Sequence, residues 1–141
     1  VNQLKQKYTA QLIHERCHPM FHHEYALSRL HQEGYKIAVC SNSIRSTIEL
    51  MMDKAMLTAY LDLIVSNEDV RKAKPDPEMY QTAIAKLGMK PEECIVVEDN
   101  PNGIAAGRAS GAAVLEVATV YDVNYENIKG FINRMKGGDN D

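Results

Sequence analysis

No stretch of this chain is apolar for long enough to cross a bilayer, and its opening residues, Val-Asn-Gln-Leu-Lys-Gln-Lys, lack the apolar core of a secretory signal. Basic residues gather into no stripe. The 16 Lys and Arg are interspersed among 19 Asp and Glu, and the formal charge of −3 leaves no surface of the kind that tracks nucleic-acid phosphates. Cysteine is scarce: Cys17, Cys40 and Cys94 are odd in number and widely spaced, which favours reduced thiols over disulfides. Cys40 and Cys94 fall inside apolar runs and read as small core residues. His14, His18, His22 and His23 come with no cysteine pair or HExxH pattern, so they read as a solvated cluster rather than a metal site. Internal repeats, low-complexity tracts and linkers are missing too. Nucleic acid and membrane are therefore not expected as partners, and the cytoplasm is the expected location.

What is present, within 141 residues, is material for one domain with a real core. Leu4, Tyr8 and Leu12 stand four apart and form one apolar stripe on a helix from Gln3 to Glu15, which Pro19 brings to an end. A helix is expected from His22 to Gln32 with Gly34 as a left-handed cap, then a strand over Tyr35–Cys40 and a helix from Ile44 to Asp53. Strand Leu61–Ser66, a proline-marked loop and helix Glu78–Leu87 follow. Strand Cys94–Val97, helix Asn102–Ser110, strand Ala112–Val117 and an amphipathic segment near Tyr125–Met135 complete the series. Strands alternating with helices imply βαβ crossovers and a parallel sheet covered on both faces. The tail, residues 136–141, is polar and glycine-rich and is expected to be disordered.

Three places bring chemistry to strand ends or to the loops after them. Ser41 and Asn42 lie where a strand hands over to a helix, so hydroxyl, amide and backbone N–H groups can converge on an anion, while Ser43 is the better helix cap. Lys74 sits between Ala73 and Pro75, where X-Pro geometry restrains the backbone and aims the side chain; Arg71 and Lys72 lack that restraint and read as exposed. Glu98 and Asp99 end the apolar run Ile95-Val-Val, and adjacent carboxylates there need solvent, a cation or hydrogen-bond donors. Magnesium suits hard oxygen ligands of this kind; the alternative is an Asp that caps the following helix. Gly103, Gly107 and Gly111 would let helix and strand approach closely.

In this order the three places resemble the second, third and fourth motifs of the haloacid dehalogenase superfamily, in its phosphatase and β-phosphoglucomutase-like branch. The resemblance covers about His22 to Val120. It implies a Rossmann-like α/β core, Mg²⁺, and an aspartate nucleophile that forms an aspartyl-phosphate on a small phosphorylated metabolite. The phosphoryl group would then pass to water, in a phosphomonoester hydrolase, or to a sugar hydroxyl, in a mutase. A non-catalytic phosphate-binding or interaction module is the further alternative. On this resemblance Ser41 would hydrogen-bond phosphoryl oxygens, Asn42 and Ser43 would shape the pocket, and Lys74 would neutralise charge on the nucleophile and phosphoryl group. Asp99 would hold the metal, with Glu98 as a direct or outer ligand.

The family's first motif, Asp-x-Asp-x-Thr or Val, occurs nowhere in the chain; Asp62, Asp76 and Asp122 stand in other contexts. The nucleophile and the general acid/base belong to that motif. Its strand lies at the centre of the family sheet, between the strands ending at Ser41 and Glu98, and a helical cap follows it. Residues 1–17 accordingly read as the end of such a cap, residues 18–135 as a partial core, and the chain alone as an inactive part of a longer enzyme. Such a core would leave exposed ladder groups and an apolar slot. It would dimerise, take up a missing N-terminal segment, pair its remaining strands directly or stay incompletely ordered.

Overall fold

The computed structural model describes residues 18–137; the helix expected over Gln3–Glu15, the cap assignment for residues 1–17 and the last four residues of the tail lie outside them. Four short strands alternate with helices: α1 Phe21–Gln32, β1 Ala38–Cys40, α2 Arg45–Lys54, β2 Leu63–Val65, α3 Glu78–Lys86, β3 Ile95–Glu98, α4 Pro101–Ala109, β4 Ala113–Glu116 and α5 Tyr125–Gly137. The fold is α/β, as the alternation of strands and helices implies, and Rossmann-like, as the family resemblance implies. Several helix ends have a local cause. Gly34 leaves α1 at φ +92°, Gly88 follows α3 at +70° and Gly111 follows α4 at +92°, all left-handed values that a side chain resists. Asn100 accepts the Asn102 N–H at 2.8 Å and Pro101 fills the first turn, so α4 begins with a complete cap.

Strand pairing stops halfway. β1 pairs in parallel with β2, Val39 opposite Ile64, and β3 pairs in parallel with β4, Val96 opposite Val114, but β1 and β3 do not pair with each other. Among the described residues, direct pairing of the remaining strands, one of the alternatives for such a core, therefore does not occur. Hydrogen-bond alternation shows which groups this leaves over. Ile37 accepts Asp62 N–H and Ser41 donates to Val65, so odd-numbered residues face β2 while Ala38 and Cys40 turn the other way. Cys94 and Glu98 carbonyls accept from Ala113 and Val117, so Ile95 and Val97 also turn away from their partner.

Helices cover this gap on both faces. Below it, Leu30 of α1 and Ile128 and Ile132 of α5 form a buried cluster against Ile37, Ile95, Val97 and Leu115. Above it, Tyr80, Ile84, Val96, Ala106 and Ala112 pack together with Cys40 at their edge, while Met79 and Ala83 of the same helix α3 pack on Val65 of β2. A slot between two parallel strand edges results, apolar above and below. Gly107 lets α4 lie on the sheet, since a Cβ there would come within 2.9 Å of Val114 and 3.0 Å of Val96 side-chain carbons. α5 runs through Gly137, two residues into the stretch expected to be disordered, because Lys136 Nζ reaches the Tyr35 hydroxyl at 3.1 Å and the helix still has a surface to follow. No helix among the described residues is long and apolar enough to cross a membrane.

The slot makes a direct statement about exchange. The amides of Ala38, Cys40, Ile95 and Val97 will exchange with solvent deuterium faster than those of Val39 and Val96, which lie in paired ladders. Equal protection at all six positions, measured residue by residue, would mean that something bonds the edges of β1 and β3.

Candidate active site

The carboxyl ends of β1 and β3 are joined by one side chain. Lys74 turns inward from its loop, 11% exposed, and donates to the Cys40 carbonyl at 2.8 Å and to Glu98 Oε2 at 3.1 Å. An ammonium has three N–H donors, so one remains for a third acceptor. Asn42 fixes the loop that carries it: its Oδ1 accepts the Lys74 N–H at 3.1 Å and its Nδ2 donates to the Lys74 carbonyl at 3.5 Å. The Asn42 carboxamide is thus engaged with the main chain of Lys74. Arg71 and Lys72 are exposed, as their unrestrained setting implies.

Glu98 is saturated with donors. Its Oε2 takes Lys74 and the Tyr80 hydroxyl, the latter at 2.8 Å, while Oε1 takes the N–H groups of Asp99 and Asn100 at 3.2 and 3.3 Å. Burial pushes its carboxyl pKa up, but the Tyr80 hydrogen bond, the Lys74 charge and the remaining donors outweigh burial and hold it below the ordinary range. Burial, and next the bond to Glu98, push the Tyr80 hydroxyl upward, so it remains a donor. Burial likewise pushes the Cys40 thiol up to about 11, which leaves it protonated and inert beside the pair. The niche exists because residue 103 is glycine. A Cβ there would fall 2.0 Å from Glu98 Cδ and Oε2.

Asp99, the next residue, is exposed, and Asn100 rather than Asp99 caps α4. Its carboxylate accepts no hydrogen bond from the described residues and is free for a cation. Ser41 Oγ accepts the Ser43 N–H at 3.2 Å, which leaves its own hydrogen for an outside acceptor. Ser43 does not cap α2 as expected. The cap position belongs to Ile44, and the first helical N–H, that of Arg45, donates to Glu68 Oε1 at 2.8 Å. Ser43 instead accepts the Asn67 N–H through its carbonyl, tying β1 to the loop after β2.

Ser41, Asn42, Lys74 and Glu98 thus converge by contact or by sequence adjacency, and Asp99 follows at the end of β3. Tyr80 was missed by sequence reading. The available signal was a hydroxyl set among the apolar residues of α3, which demands a partner once buried.

The sequence profile of the haloacid dehalogenase-like hydrolases matches residues 1–117. The chain is 30% identical over 115 residues to the pyrophosphatase PpaX of Bacillus mycoides, covering 72% of this chain and 54% of the relative. Against the PpaX of Anoxybacillus flavithermus it is 35% identical over 89 residues, covering 63% and 41%. Among solved structures it resembles a β-phosphoglucomutase from Clostridium difficile, with TM-score 0.71 and 26% identity over 89% of this chain and 54% of the other. The chain spans about half the length of the curated relatives it matches.

Two outcomes test the niche around Glu98. Gly103→Ala will drive Glu98 away from Lys74 and Tyr80 and destabilise the fold by about 2 kcal/mol despite the better helix propensity of alanine, measured by urea denaturation. The depressed Glu98 carboxyl contributes stability that is complete above the ordinary glutamate value of about 4.3 and is lost as pH falls through the lower folded value. Glu98→Gln will be less stable at neutral pH, and its stability will fall less steeply across that acid window.

Proposed function

The chain belongs to the haloacid dehalogenase-like hydrolases, and on that premise we propose that it supplies the phosphate-facing side of a Mg²⁺-dependent site that hydrolyses a small phosphorylated metabolite. The observation that carries this reading is the Lys74 ammonium, anchored to Cys40 and Glu98 at the mouth of the slot with one N–H to offer. A fixed cation at the carboxyl ends of parallel strands is suited to the charge of a transferring phosphoryl group.

The residues divide the work as phosphoryl transfer requires, by position and charge. Lys74 neutralises one phosphoryl oxygen and Ser41 donates its hydroxyl hydrogen to another. Asn42 holds the Lys74 main chain so that its side chain does not wander, and Ser43 shapes the turn between them. Asp99 would hold magnesium directly, whereas Glu98, with all four of its acceptor positions filled, serves from the outer shell. Free carboxylate oxygen suits this cation, and a single such group supplies only part of its coordination. When bound, the metal would offset charge on the phosphate and the attacking group. The described residues hold no cluster of three or more His, Cys, Asp or Glu able to form a metal centre by themselves.

The attacking carboxylate is not among these residues. We place it at the end of an extended segment that fills the slot between β1 and β3, where its charge would face Lys74. The phosphorus–oxygen bond of the substrate would break as an aspartyl-phosphate forms, and water would then release phosphate. Without such a segment the chain would be inactive. The likeness to a β-phosphoglucomutase supports a second reading, in which a sugar hydroxyl replaces water. The pyrophosphatase relatives add a phosphoanhydride to the candidate substrates.

The full-length gene product will hydrolyse p-nitrophenyl phosphate or pyrophosphate with added Mg²⁺ and lose that activity in EDTA. Lys74→Ala will lower kcat/KM by about 100-fold or more. Adding the separately produced upstream segment to the present chain will restore turnover that neither piece shows alone. A full-length product that binds phosphate without turnover would make the protein a binding module.

A further inference from the structure

Met79, Tyr80, Ala83 and Ile84 are the buried residues of α3, and Tyr80 alone touches both members of the central ion pair. Its hydroxyl reaches Glu98 Oε2 at 2.8 Å, the same oxygen that Lys74 contacts at 3.1 Å. Its ring lies 4.9 Å from Lys74 Nζ, within range of a cation–π contact. Packing against Ile84, Val96 and Ala106 would be served as well by phenylalanine, so volume does not account for the hydroxyl.

The chemistry of the pair does. Lys74 and Glu98 are only 11% and 14% exposed, so their attraction is poorly screened, and an ammonium held by one carboxylate alone would be drawn onto it. A second donor on the shared oxygen takes up part of its negative charge and fixes the carboxylate plane. The ring face offers the ammonium a resting place that is not an anion. Lys74 can then turn its third N–H toward an incoming oxyanion without stranding a buried carboxylate.

We propose that Tyr80 is a positioning residue for phosphoryl transfer, its hydroxyl holding Glu98 and its ring holding Lys74 so that the ammonium stays available to the phosphoryl oxygen. This rests on the phosphoryl-transfer reading of the site. Tyr80 acts only through Lys74 and Glu98.

The experiment compares wild type, Tyr80→Phe and Tyr80→Leu in the full-length gene product, with kinetics on p-nitrophenyl phosphate and with the Lys74 side-chain nitrogen followed by NMR in the absence of metal and substrate. Tyr80→Phe is expected to keep its thermal midpoint within about 3 °C of wild type. Its kcat is expected to fall about tenfold at unchanged KM. The Lys74 signal is expected to move in Tyr80→Phe and to move further in Tyr80→Leu. An unmoved Lys74 signal, with kcat unchanged or with kcat and KM altered only in step with stability, overturns the proposal and leaves Tyr80 a packing residue. If wild type shows no turnover, the phosphoryl-transfer reading fails. The Lys74 signal then decides by itself whether Tyr80 holds the ammonium.

Discussion

One ammonium joins two half-sheets. β1 with β2 and β3 with β4 are each complete as pairs, and no ladder bonds run between them. The polar link across the gap is Lys74, which bonds a main-chain carbonyl at the end of β1 and a carboxylate at the end of β3. Removing one partner of this largely enclosed pair destabilises the fold, because the charge left behind loses its counter-ion where water reaches it poorly. The remaining features of the site are consequences of making this pair tolerable. Asn42 fixes the lysine's loop, Gly103 leaves room for the carboxylate, and Tyr80 with two backbone amides completes its acceptors.

The same constraint separates two carboxylates that look equivalent in sequence. Glu98 and Asp99 are neighbours, but alternation along β3 and the turn into α4 send them to different surroundings. One is enclosed and holds four donors; the other meets solvent. Paired acids divided in this way can serve distinct ends at one pH, a fixed counter-charge in one case and an accessible ligand in the other.

Much of this was legible in the chain because the signals were local. Gly34, Gly88 and Gly111 mark helix ends that need a left-handed residue, and the apolar runs at β1, β3 and β4 place the strands to within a few residues. Pro75 marked a restrained backbone at Lys74, but the inward direction of the side chain comes from Cys40 and Glu98, far away in the chain, and was not readable from that proline. What escaped were contacts between distant segments. Ser43 looked like a helix cap, but the first N–H of α2 is met by Glu68, 23 positions away from Arg45, and local propensity cannot anticipate a carboxylate arriving from another loop. Tyr80 was hidden for a related reason: its partner stands 18 residues on, on another element. The extent of α5 was likewise underestimated because Tyr35, 101 positions earlier, holds Lys136.

The gap between β1 and β3 also has a polarity. Cys40 and Glu98, the last residues of their strands, both meet Lys74, so the two edges run the same way. A segment that continues the parallel pattern on both sides must enter at the end of the sheet far from Lys74 and leave beside it. Parallel neighbours cannot be connected by a tight turn, and each return needs a crossover of a dozen residues or more. A hairpin pushed in from one side would match one edge and oppose the other. The lane between these edges is one-way, and a parallel segment laid in it would bring its carboxyl end to the ammonium.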